Sequence, residues 1–181
     1  MIALGIIDIR RFMSAFLVGT HFDDYALAEA RITTFCTFSI DGRLEPSFFG
    51  EDSRTGASSE DSGHMPDPAV LAPVSYIRWG QVRERCFDII KGKRTPLGFK
   101  FVFFYPAGKM DTFYEKYGIT GSARNLSGLC LNLKFDGSRL ILTTGTSMKT
   151  FSTDRAADHA WDDEIREILA SLSILTEDFI S

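Results

Sequence analysis

The sequence has no Cys-x-x-Cys pair, no P-loop, no Gly-x-Gly-x-x-Gly and no His-Glu-x-x-His among its 181 residues. The familiar routes to structural zinc, nucleotide phosphates and metalloprotease chemistry are therefore missing from its motifs. Only three cysteines occur, Cys36, Cys86 and Cys130. Their number is odd, their spacing is wide and their neighbours are apolar. A disulfide framework is excluded, and reduced, buried thiols in the cytoplasm are expected. No apolar run reaches the length of a membrane span. The opening stretch, "MIALGIIDIRRF", puts its arginines after a short apolar run, the reverse of a secretory signal. No membrane association, cofactor or metal site is expected.

What is present is ordinary for a folded protein: 44% apolar residues, 24% charged and sixteen phenylalanines. That composition supports one domain over 1–181 with a sizeable core. The net charge of −4 gives no global attraction for nucleic acid. The charge is unevenly spread. Trp79 to Lys100 carries six Lys/Arg against Glu84 and Asp88, whereas Asp154 to Ser181 carries eight acids against Arg155 and Arg166.

Periodicity indicates an α+β protein. "IALGII" is strand-like. Ile9, Phe12, Met13, Phe16 and Leu17 repeat at helical spacing, with Asp8 as a cap and Gly19 as a stop. "YALAEARIT" and "TFCTFSIDGRLEPSFF" follow as strands. In them Cys36, Phe38 and Ile40 alternate inward, and Asp41-Gly42 signals a hairpin. Residues 50–74 are dominated by Ser, Gly, Asp, Glu and Pro over most of their length and read as a mobile loop. A second helix follows with Trp79, Val82, Cys86, Ile89 and Ile90 on one face and Gly92 at its C′ position. "FKFVFFY" reads as a strand buried on both faces. A short helix carries Met110, Phe113, Tyr114 and Tyr117 on one side. A hairpin then turns at Asp136-Gly137, with Leu129, Leu131, Leu133 and Phe135 inward. The last helix is acidic and amphipathic, capped by Ser152 or Thr153, with Ala157, Trp161, Ile165, Ile168 and Leu172 as its buried stripe. Each half reads strand, helix, strand, strand, Asp-Gly, strand. The two halves are either a duplicated βαβββ unit, carried on antiparallel or mixed sheets, or two α+β halves that share common signals.

The basic stretch "DIIKGKRTPLGFK" is the main functional candidate. Lys91, Lys93 and Arg94, with Lys100 and Arg83, could hold an anion, an acidic protein or a nucleic-acid backbone. They could equally finish a helix, because cations interact well with a helix C-terminus. A helix C-terminus is also the wrong end for amides that cradle phosphate. An enzyme reading would place a phosphorylated or otherwise anionic small molecule on Lys93, Arg94 and Lys100. His159 with Asp162 and Asp163 has the spacing of a metal pair but lacks further ligands. His21–Asp24, "HFDD", has the same weakness. Ser147 has no Gly-x-Ser-x-Gly setting. A non-catalytic binding or scaffold module is the reading that remains.

The segments "EARITTFCTFSIDGRL", "ERCFDIIKGKRTPLGFKFVF" and "LTTGTSMKTFSTDRAADHAWDD" resemble an uncharacterised bacterial family, a domain of unknown function. The resemblance implies a stand-alone cytoplasmic protein and brings no site residues. At the level of fold alone, duplicated βαβββ units are similar to the domains of sliding DNA clamps, which would put Arg10, Arg11, Arg83 and Arg85 on the helices facing DNA.

Overall fold

The computed structural model describes residues 1–45, 48, 76–149 and 154–179. Within them the chain forms eight strands and four α-helices, an α+β protein. The expected loop at 50–74 and the caps Ser152 and Thr153 lie outside the described residues. Among the described residues, no helix is long and apolar enough to cross a membrane.

Strand β1 (Ala3–Ile6) leads into α1 (Ile9–Leu17), where the Asp8 carboxylate accepts from the Arg11 amide as the helix cap. Phe12, Phe16 and Leu17 are buried, the stripe that the spacing demands. A hairpin of β2 (Ala26–Thr33) and β3 (Thr37–Asp41) follows, turning through Thr34, Phe35 and Cys36. β4 (Ile77–Arg78) opens α2 (Trp79–Ile90), and β5 (Gly98–Phe104) crosses the middle of the sheet. A 3-10 turn at Ala107–Lys109 precedes the short α3 (Met110–Lys116). β6 (Leu126–Phe135) and β7 (Leu140–Met148) form the long hairpin, α4 (Ala156–Ser171) packs over β7, and β8 (Thr176–Asp178) ends the described fold.

All pairings are antiparallel, and the strand order is β3-β2-β5-β6-β7-β1-β8, with β4 also on β2. Helices α1, α2 and α4 cover one face. Beneath α1 and α2, Phe16 stacks on Trp79 at 4.6 Å and meets Phe101 and Phe103 edge-on, while the Trp79 indole donates to the Phe16 carbonyl. Beneath α4, Trp161 meets Tyr105 edge-on at 5.2 Å and donates to the Cys130 carbonyl. Each buried indole therefore adds a satisfied polar contact to its apolar area.

Several expectations need correction. β5 is buried on one face only: Phe99, Phe101 and Phe103 lie inward, while Val102 and Phe104 are half-buried and Lys100 is exposed on the other side. A single sheet with its described helices on one side gives each strand only one fully covered face. Cys36 is exposed, because the hairpin turn takes up Thr34–Cys36 before the inward alternation of Phe38 and Ile40 begins; only Cys86 is fully buried. Asp162 lies under the acidic helix rather than on its outer face, accepting from Thr144 Oγ1 and the Met1 ammonium. Helix α2 closes on Lys91 in an extended conformation, and Gly92 needs no positive φ there.

The two Asp-Gly pairs occupy different places. Asp136-Gly137 is a hairpin turn: Gly137 has φ 97°, and the Asp136 carboxylate accepts from the Ser138 and Arg139 amides, which holds it at about 2. Asp41-Gly42 is instead a handover. β3 covers β2 from Thr33 to Glu29, and β4 covers Leu27 and Ala26. Gly42 sits between them, donating to the Ala28 carbonyl and accepting from the Ile77 amide.

Candidate binding groove

The end of α2 and the β2–β3 turn meet at one end of the sheet. Thr33 is opposite Gly98, and the Leu97 amide donates to the Thr33 carbonyl at 2.9 Å. Between the turn and the loop 91–97 lies a groove of about 750 Å³. Phe38, Ile89 and Ile90 contribute apolar lining, and Lys91, Lys93 and Arg94 add cations. Phe35 and Leu97 stand on its rim, 91% and 69% exposed. Phe35 is braced edge-on against Phe38, with ring centroids 5.9 Å apart.

The five cations expected to act together are divided by the fold. Lys91 finishes the helix: its ammonium pairs with Asp88 at 2.5 Å, one turn back, and lies 5.5 Å from the Phe87 ring. Lys93 and Arg94 share the groove, are exposed and have no ion-pair partner among the described residues. Arg83 is far from them in role. Its guanidinium donates to the Val18 and Gly19 carbonyls at the end of α1 and lies 3.4 Å from Asp23. That separation is an ion pair without hydrogen-bond geometry, and the Arg83 Nε and Asp23 Oδ1 have no hydrogen-bond partner among the described residues. Arg83 thus satisfies free carbonyls at a helix end and ties α1 to α2. Lys100 projects from the opposite face of the sheet, where it pairs with Glu29 at 2.9 Å. The set Lys93, Arg94 and Lys100 does not converge on one ligand, because strand alternation sends Lys100 away from the groove.

The other candidates also separate. His159 is exposed while Asp162 is buried, and among the described residues no three His, Cys, Asp or Glu side chains gather as a metal site would require. Ser147 stands on β7 opposite Gly128. The most shifted thiol, Cys86, is pushed up to about 12 by burial, away from reactivity. The groove itself offers two hydroxyls, one already paired carboxylate, apolar side chains and cations, a set suited to holding a partner rather than to transferring protons or groups.

Sequence reasoning missed Phe35 and Leu97. A signal existed for both: each is a large apolar residue inside a turn, in "TTFCT" and "TPLG". Turn positions rarely bury side chains, so an apolar residue there points outward.

Residues 15–177 match the model of a family described as of unknown function, DUF5721. No curated protein and no solved structure matches the chain.

Proposed function

The chain belongs to the DUF5721 family of unknown function, and we propose that this member is a non-catalytic binding module whose groove holds an acidic protein segment by its apolar side chains. The observation that carries this reading is the pairing, on one rim, of the exposed Phe35 and Leu97 with two cations that have no acid of their own among the described residues, Lys93 and Arg94. Apolar anchors supply most of the affinity, each worth about 1.5–3 kcal/mol when fully covered. Exposed cations add under about 1 kcal/mol each, and select acidic partners mainly through encounter rate. The separate placement of Lys100 argues against a compact small-anion site. We take the chain as a single domain working in a bacterial cytoplasm, a setting that keeps the free thiols Cys36, Cys86 and Cys130 reduced.

The test is fluorescence anisotropy with a labelled peptide rich in Asp and Glu and bearing two Leu or Phe anchors. Labelled single-stranded DNA and pyrophosphate serve as competitors. Phe35→Ala should weaken peptide binding with its salt dependence intact. K93E/R94E should weaken it and flatten the salt dependence. Both variants should melt close to the parent. No peptide binding at low salt, or binding indifferent to both variants, would sink the proposal. Displacement by pyrophosphate at lower concentration than by peptide would favour the small-anion reading instead.

A further inference from the structure

The face of the sheet opposite the helices carries a second charge pattern, independent of the groove. β2, β5 and β6 are adjacent there. Arg31 stands directly opposite Lys100, and Lys100 directly opposite Lys134. Each is exposed between two inward apolar neighbours. With strands about 4.8 Å apart, the three cations form a line about 10 Å long. Like charges directly opposite one another disfavour strand pairing, so the row is not explained by the fold's own stability. Only Lys100 has an acid, Glu29; Arg31 and Lys134 have no ion-pair partner among the described residues.

The same face offers a π surface. Phe104, four residues along β5 from Lys100 and so about 13 Å away, lies against Tyr76 with ring centroids 5.4 Å apart, and both rings are half-buried. Arg43 is bridged to Tyr76, and Arg78 is opposite Ala26, itself opposite Phe104. The acids on this side are Glu29, paired with Lys100; Asp41, whose carboxylate accepts from the Arg43 amide; Asp24, which lines a pocket with Tyr76 and Arg78 and is paired with Lys109; and Glu177 on the distant β8. Arg31, Lys100 and Lys134 thus form a row at one place on this face, and Arg43 and Arg78 flank the aromatic pair at another, with Glu29 and Asp24 already paired to Lys100 and Lys109.

We infer that this open face binds single-stranded nucleic acid, with backbone phosphates along Arg31, Lys100 and Lys134 and a base against Tyr76 and Phe104. Stacking on an aromatic side chain needs an unpaired base, which a duplex withholds. A broad sheet also cannot enter a duplex groove, which admits a helix or a two-stranded ribbon. The charge line and the π surface are separated along the strands, as a backbone tracking the sheet with one base turned down would require. The local pattern outweighs the net charge of −4, because repulsion from distant acids is screened beyond about 10 Å at moderate salt.

The experiment uses the full chain with labelled 15-nucleotide oligothymidylate and oligouridylate, titrated by anisotropy between about 50 and 200 mM salt. The unmodified protein should bind both at the low end and lose affinity as salt rises. R31E/K134E should bind at least about tenfold more weakly, with a log–log salt slope shallower by about 1.4, since each phosphate contact on a single strand contributes about 0.7. R31Q/K134Q, which only neutralises, should fall between the two and guards against a misfolded reversal variant; far-UV circular dichroism checks both. Tyr76→Ala should lower affinity by about five- to a hundredfold with the slope unchanged, as loss of a stacked base does. K93E/R94E should leave oligonucleotide binding as it was, which keeps this inference separate from the groove proposal. Absence of binding at low salt overturns the inference. So does binding that survives R31E/K134E, or binding lost through K93E/R94E instead.

Discussion

Gly42 is the position where a single added methyl should do the most damage. A Cβ built there would lie 1.7 Å from the Leu27 carbonyl oxygen and 2.7 Å from its carbon. Both atoms are backbone, so no side chain can turn aside. An ordinary contact is about 3.5 Å, so the chain at Gly42 must retreat by well over 1 Å. That retreat breaks the bond from the Gly42 amide to Ala28, at 3.0 Å, and the bond from the Ile77 amide to Gly42, at 2.8 Å. Each contributes about 0.5–1.5 kcal/mol, and leaving the β2 edge unpaired at the handover adds desolvation of similar size. The expected cost of Gly42→Ala is about 2–4 kcal/mol. For a chain of this size that lowers Tm by about 4–16 °C. Gly92→Ala is the control, because nothing lies within 4 Å of its Cβ position and its φ is not positive. It should be neutral or stabilise by a few tenths of a kcal/mol through a less flexible unfolded chain. Thermal and urea melts of the two variants side by side give the answer. A Gly42→Ala protein that melts within about 2 °C of the parent would refute the handover geometry.

Tyr25 is buried with no hydrogen-bond partner for its hydroxyl among the described residues, so Tyr25→Phe should stabilise the fold by up to about 1–3 kcal/mol; a loss in urea midpoint would show that the hydroxyl is satisfied. A thiol reagent should modify Cys36 quickly in the native protein and Cys86 only on unfolding, and rapid modification of Cys86 would contradict its packing. Because burial raises Cys86 to about 12 and the Tyr117 phenol likewise to about 12, the folded state keeps protons that the unfolded state releases first. Stability should therefore be complete below about pH 9 and fall from there towards pH 12, so a melting temperature flat across that window would count against both placements. Lys134→Thr removes one like-charge neighbour of Lys100 and should raise the unfolding free energy by up to about 1 kcal/mol, read as a higher urea midpoint with an unchanged m-value, whereas a lower midpoint would mean that the cation row is not repulsive.

Local signals were legible where one residue type has one use. Asp8 before an i, i+3, i+4 stripe gave α1 with its cap, and Asp136-Gly137 between alternating strands gave the β6–β7 hairpin. The same dipeptide at Asp41-Gly42 misled, because a glycine needed for close approach looks identical in sequence to one needed for a turn. Lys91 to Lys100 looked like one cluster because sequence distance is short. Strand alternation and a helix end then sent its members to a salt bridge, a groove and the far face. The open-face row was written in the sequence as "ARI", "FKF" and "LKF", a cation between two apolar residues in three strands. Its meaning depended on β2, β5 and β6 being neighbours, and that adjacency is decided by tertiary packing rather than by any of the three segments.

The place of β1 in the sheet has a kinetic consequence. The first strand lies between β7 and β8, and the Ile2 amide reaches the Thr144 hydroxyl 142 positions away. During synthesis this strand must wait, unpaired, until β7 has appeared. Its apolar Leu4 and Ile6 are exposed to other chains for that time. Closing so long a loop before it is rewarded places this step late and makes it slow. Refolding should thus show early formation of the β6–β7 hairpin and a slower final phase in which β1 docks, the interval in which a crowded chain is most exposed to aggregation.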